Sequence, residues 1–189
     1  MGSIRESIIG GVFEFTPQRH LDARGSFSEL FKFDLIHQEI GVEFNLAQSN
    51  VSTSNLGTLR GMHFQKWPPG QAKYVTAVSG RVIDVVVDLR RNSETFGKFD
   101  WFELDSEALN SLYIPAGIGH GFLATVDQSQ VHYLCDRHYD PSAEMSINPL
   151  SFGVPWETWS ATHEIPELIL SEKDRNAPSL QEALDQIHF

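Results

Sequence analysis

The chain lacks disulfide-forming capacity, a surplus of basic residues and any long apolar run. Of its 189 residues only Cys135 is a cysteine, so no intrachain disulfide can form and a reducing, cytoplasmic setting is expected. Lys and Arg number 14 against 25 Asp and Glu, a formal net charge of −11. That balance argues against nonspecific nucleic-acid binding, which requires many cations to neutralise phosphates. It leaves room for a small anionic ligand held by a few local cations. No apolar stretch approaches the ~20 residues that span a bilayer. The N-terminal "MGSIRESIIGGVFEF" has no long apolar core of a signal peptide, so no membrane association is expected. Internal repeats, low-complexity tracts and linkers are also missing, and the length suits one domain over residues 1–189.

What is present is strand patterning. "GVFEFTP" and "FSELFKF" alternate apolar and polar residues. "AKYVTAVSGRVIDVVVDLR" reads as two strands joined at the turn dipeptide Ser79-Gly80. "SLYIPAGIGHGFLATV", "DQSQ" and "VHYLCDRHY" read as strand, bend, strand, turn and strand. Such short, closely spaced runs predict an all-β sandwich or barrel. Two short helices are expected to dock on the sheets. "DLIHQEIG" has Asp34 as its N-cap and Gly41 as its stop, and "SLQEALDQIHF" carries the Ser179/Glu182 capping-box pattern. Residues 153–170, with two Trp and two Pro, read as an irregular covering arm.

Several chemistries find no support. Metal-bearing β-barrels commonly use two His one residue apart, but the position two after His63 is Gln65, and His120 stands alone in "AGIGHGF". No metal or other cofactor is expected, although a site assembled from distant His residues stays open at this point. There is no G-x-S-x-G elbow and no G-x-x-x-x-G-K phosphate loop. What remains is acid–base work. Arg24 and Glu29 flank a Gly turn, "AQSN" supplies Gln48 and Asn50, and "LRGMH" supplies Arg60 and His63. Lys73 heads an apolar strand, Asp84 interrupts one, and Tyr133, Lys173 and Asp174 follow. Singly, each has a structural explanation: an edge charge, a packed ring, a carboxylate paired to a backbone group. Their number in one small β domain says more, because an interior lined by polar groups costs stability unless something binds there.

The segments "DARGSFSELF", "AQSNVSTSNLGTLRGMHFQ", "PPGQAKYV", "GRVIDVVVDLRRNSETFGKF", "YIPAGIGHGF", "YLCDRHYDPSAE" and "LSEKD", in this order, resemble the deoxysugar-nucleotide epimerase family typified by dTDP-4-dehydrorhamnose 3,5-epimerase. The resemblance implies a cupin-type jelly roll without metal, with a few short peripheral helices and a C-terminal arm over 153–189. It also implies a homodimer that exchanges N-terminal strands. By position in the matching motifs, His63 resembles the catalytic base, Asp174 the group that orients it, Tyr133 the acid on the opposite face, and Lys73 the partner of the C4 carbonyl oxygen. Arg24, Glu29, Gln48, Asn50, Arg60, His120, Glu144 and Lys173 match substrate contacts. Tyr139 matches the aromatic that stacks on the nucleotide base, and Asp84 a supporting partner.

The implied reaction is inversion of C3, C5 or both in a nucleotide-linked 4-keto-6-deoxyhexose. The expected ligand is a nucleotide-sugar. A 3,4-ketoisomerase and a noncatalytic sugar-nucleotide binding module are the alternatives. Two departures bear on how many centres invert. Leu134 stands where rhamnose-pathway enzymes usually carry Lys, and "MSINPLSFGV" after Glu144 lacks the usual Arg-Gly-Ile-x-Trp run. Both features resemble enzymes of specialised deoxysugar pathways, some of which invert one centre only.

Overall fold

The computed structural model describes residues 2–186. Met1, the last three residues of "SLQEALDQIHF" and hence the outer bounds of the expected 1–189 domain lie outside the described residues. In chain order the strands are β1 (Ser3–Glu6), β2 (Phe13–Thr16), β3 (Arg19–Asp22), β4 (Gly25–Ser28), β5 (Gln48–Ser54), β6 (Leu59–Gln65) and β7 (Lys73–Ser79). Then come β8 (Arg81–Asp88), β9 (Phe99–Asp105), β10 (Ser111–Ile114), β11 (Ile118–Ala124), β12 (Ser129–Cys135) and β13 (Glu144–Ser146). Helix α1 (Phe33–Ile40) precedes β5; α2 (Trp156–Thr162), α3 (Glu172–Arg175) and α4 (Leu180–Gln186) follow β13.

Six strands, in the order β1-β2-β10-β7-β12-β5, face five in the order β13-β6-β11-β8-β9, while β3 and β4 form a separate hairpin. This is the expected cupin-type jelly-roll sandwich. Ser79-Gly80 turns the chain from one sheet to the other, since β7 and β8 belong to different sheets. Strand β8 reads as a nearly unbroken apolar run because both of its faces are covered. Val82 and Val86 point between the sheets with Val75, Phe102, Phe122 and Val131. Ile83, Val85 and Val87 point outward under Trp156, Ile165, Leu180 and Ala183 of the C-terminal arm. A third cluster lies on the outer face of the six-stranded sheet, where Phe15, Tyr74 and Tyr113 meet Ile36 of α1 and Phe44. Burying a side chain of this size contributes about 1.5–3 kcal/mol, so these clusters dominate the stabilisation.

Three local expectations need correction. Only Phe27 and Ser28 of "FSELFKF" lie in a strand, and Phe33 opens α1, whose apolar face fills the third cluster instead of extending a sheet. Lys32, in extended conformation, is the N-cap of α1; Asp34 sits inside the first turn, where its charge complements the helix dipole. Gly41 ends that helix at φ 69° as expected, because a left-handed residue without Cβ strain is needed there. The 153–170 arm contains a real helix, α2, pinned by buried Trp156, whose indole N–H donates to the Pro149 carbonyl at 2.9 Å. The Ser179/Glu182 capping box forms: the Ser179 N–H donates to Glu182 Oε2 at 2.8 Å and the Glu182 N–H to Ser179 Oγ at 3.3 Å.

Candidate active site

The stretch "LRGMH" shows how the fold brings a cation and an imidazole to one side. Strict alternation would send Arg60 and His63, three residues apart, to opposite faces of β6. The β6–β11 register instead pairs His120 with His63 and Phe122 with Arg60, which gives β6 one extra residue, a β-bulge. Gly61 lies in the bulge at φ 117°, and a Cβ there would stand 2.5 Å from Gly121 Cα. Only glycine permits this close approach, and the bulge turns both functional side chains inward.

One end of the interior between the sheets is filled by the apolar cluster around Phe102 and Phe122; the other is polar and open. A cavity of about 300 Å³ occupies the open end. His63, Gln65 and Glu144 line it from the five-stranded sheet, and Gln48, Asn50, Lys73 and Tyr133 from the six-stranded sheet. Tyr139 lies at its rim. A neighbouring cavity of about 380 Å³ shares His63 and adds Arg60, Lys173 and Asp174. A third, more apolar cavity beside Ile4, Phe15 and Leu35 contains none of the acid–base candidates except Glu29.

His63 Nε2 lies 2.6 Å from Asp174 Oδ1. Helix α3 delivers that carboxylate, and the Ser171 hydroxyl caps the helix by accepting the Asp174 N–H at 3.1 Å. Burial raises the Asp174 pKa, but the hydrogen bond from His63, its charge and the Gly61 N–H outweigh this, and the net value lies below the ordinary 3.8. An ionised carboxylate only accepts, so His63 Nε2 carries the proton and Nδ1 is left as the basic nitrogen. Across the cavity, burial holds the Tyr133 phenol above its ordinary value, with Cys135 adding to the effect and Arg60 opposing it. Lys73 is pushed down by burial, partly countered by Cys135, Asp84 and Glu144; its ammonium reaches the His63 carbonyl at 3.4 Å.

The other candidates divide. Gln48 Nε2 donates to Asn50 Oδ1 at 2.8 Å, and Gln48 Oε1 accepts the Tyr139 N–H at 2.7 Å. The Tyr139 hydroxyl donates to Glu144 Oε2 at 2.6 Å, and Lys173 bridges to the same oxygen at 2.5 Å. Arg60 is held by Ser54 Oγ and the Thr53 carbonyl, both at 3.1 Å. His120 and Asp84 lie beneath the site as a buried pair 2.8 Å apart. Arg24 and Glu29 are not brought to the cavity within one chain. Arg24 pairs with Asp22 on the exposed β3–β4 hairpin, and Glu29 pairs with Lys32 at 2.6 Å. Gln65 and Gln71, which line the cavity, were not singled out from the sequence. For Gln65 a signal existed, since residue i+2 on a strand shares the face of His63. Cys135 is buried and accepts a long hydrogen bond from Asn50. Among the described residues no three His, Cys, Asp or Glu side chains group as metal ligands, and no helix is long and apolar enough to cross a membrane.

A carboxylate-held imidazole facing a phenol, with a desolvated ammonium beside it, suits removing a proton from one face of an activated carbon and returning it to the other. A protein from Mycolicibacterium smegmatis called dTDP-4-dehydrorhamnose 3,5-epimerase is 48% identical over 179 residues, covering 95% of this chain and 86% of its own. The crystal structure of NovW, a 4-keto-6-deoxy sugar epimerase from Streptomyces spheroides, superposes with a TM-score of 0.91 at 40% identity, covering 98% of this chain and 91% of its own. ChmJ, a 3'-monoepimerase from Streptomyces bikiniensis solved with dTDP-quinovose, gives 0.85 at 38% identity, covering 96% and 90%. The family model described as dTDP-4-dehydrorhamnose 3,5-epimerase matches residues 6–182, nearly the whole sandwich and its arm, and the chain belongs to that family.

Proposed function

We propose that this protein epimerises a dTDP-linked 4-keto-6-deoxyhexose at C3, C5 or both, in deoxysugar biosynthesis. The observation that carries the reading is the 2.6 Å His63–Asp174 pair facing Tyr133 across one cavity. Hydrogens on C3 and C5 are α to the C4 carbonyl. His63 Nδ1 takes one of them; the C–H electron pair forms a carbon–carbon double bond to C4, and the carbonyl oxygen becomes an oxyanion. Asp174 stabilises the imidazolium that forms. Lys73 stabilises the oxyanion in a site of restricted hydration. Tyr133 returns a proton to the opposite face, a task suited to a phenol that burial keeps protonated. Arg60 and Lys173 offer the diphosphate its cations, and Tyr139 offers the base an aromatic face.

A homodimer completes this reading. The β3–β4 hairpin carries Arg24 outside the cavity of its own chain and exposes Leu21 and Phe27 at 75% and 65%. Docking on a second copy buries these side chains and carries Arg24 and Glu29 toward the neighbouring site. Light scattering that gives a monomer mass at micromolar concentration overturns the dimer. A single buried thiol suits a reducing, cytoplasmic environment.

Incubation with dTDP-4-keto-6-deoxyglucose in deuterated water tests the reaction. Label at both C3 and C5 with inverted stereochemistry marks a double epimerase, and label at one carbon a mono-epimerase. A product ketone at C3 identifies a 3,4-ketoisomerase instead, and no label at either carbon ends the proposal.

A further inference from the structure

Gln65 has a buried side-chain Nε2 with no partner among the described residues, and the reaction described above leaves it unused. The residue is 9% exposed, and its Nε2 has no hydrogen-bond acceptor among the described residues. It lines the same cavity as His63, two residues further along the same face of β6. Its cross-strand neighbour Glu144 is already engaged by Tyr139 and Lys173. A buried N–H left without an acceptor is destabilising, and apolar side chains of the same shape avoid the cost. Lys73, on the opposing wall of the same cavity, makes no ion pair among the described residues and reaches the His63 carbonyl at 3.4 Å. Two donors with unspent capacity therefore border the space beside His63. They call for an oxygen acceptor that comes with the ligand, and the ligand acceptor that gains negative charge during reaction is the ketone oxygen.

We propose that the Gln65 amide donates to the C4 oxygen of the bound sugar beside Lys73, as the second donor of an oxyanion hole. This rests on the epimerase reading above. The donor acts most strongly when the carbonyl becomes an enolate, so its loss falls on kcat more than on KM.

The experiment compares Gln65→Met, Gln65→Glu and His63→Ala with the parent enzyme for kcat, KM, dTDP affinity and thermal midpoint. Gln65→Met keeps shape and removes the donor; kcat should fall about 10²-fold, the scale of a lost oxyanion donor. Its dTDP affinity should be unchanged and its thermal midpoint unchanged or raised, since an unpartnered N–H has been removed. Gln65→Glu, which brings negative charge to the same place, should lose more. The proposal is overturned if Gln65→Met keeps kcat within about threefold of the parent, or if its dTDP affinity falls as much as its activity, which assigns the amide to the nucleotide. A thermal midpoint lowered together with activity assigns it a structural role and also overturns the proposal. If His63→Ala stays active, the epimerase mechanism fails; if His63→Ala is inactive while Gln65→Met is not, only the Gln65 assignment fails.

Discussion

Two carboxylate–imidazole pairs of nearly the same geometry sit side by side on β6 and β11, yet they are suited to different work. His63 meets Asp174 at 2.6 Å and His120 meets Asp84 at 2.8 Å, and the two His are cross-strand partners. The His63 side chain is 33% exposed and opens on a cavity; that of His120 is 8% exposed, and Asp84 is fully buried with Oδ1 unpartnered among the described residues. Burial pulls the His120 pKa below the ordinary 6.5, more than Asp84 pulls it back, while Lys73 and His63 oppose protonation further. An enclosed imidazole whose protonation burial disfavours is poorly placed to exchange protons with a ligand. Access, more than the identity of the pair, separates a candidate base from a scaffold.

Breaking each pair should give opposite signatures. His63→Ala should lower turnover by ~10²–10⁴-fold, as for a lost general base, with a smaller fall in denaturant midpoint than His120→Leu, because the cavity that His63 and Asp174 share admits water to the stranded carboxylate. His120→Leu should leave the Asp84 carboxylate buried and alone, costing about 3–5 kcal/mol in urea unfolding. Equal effects of the two substitutions on stability would erase the distinction. Asp174→Asn should reduce kcat by up to about 10⁴-fold, the scale at which losing the carboxylate that orients a catalytic imidazole matters, because an amide no longer fixes the imidazole tautomer.

Acidification sharpens the contrast at smaller scale. His120 is depressed below 6.5, so the unfolded chain takes its proton first, and stability should begin to fall as pH drops below about 6.5. The depressed Asp174 contributes stability above 3.8 that is lost as pH falls below that value. Each group changes the slope by at most about 1.4 kcal/mol per pH unit. Urea midpoints measured from pH 7 to 3 should lose the upper step in His120→Leu and show a weaker lower step in Asp174→Asn.

Much of the sandwich was legible because strand periodicity and turn residues are local. The β7–β8 and β10–β11–β12 runs needed only short apolar stretches punctuated by Gly or Ser. "FSELFKF" misled because alternation over so few residues cannot tell a strand from the approach to an amphipathic helix. At the site, motif context picked out His63, Lys73, Tyr133 and Asp174. Gln65, the last residue of β6, escaped because its spacing from His63 shows a shared face but not that the neighbouring strands enclose it.

By itself the sequence determined the strand-rich class, the lone thiol, the acidic balance and the residues able to move protons, since these follow from composition and short-range pattern. The tertiary structure alone decided that a bulge at Gly61 turns Arg60 and His63 to one face, that Asp174 arrives from a helix more than a hundred residues later, and that of two His–Asp pairs only one meets open space. Those outcomes depend on the register between distant strands and on what each side chain is buried against, which no local pattern encodes.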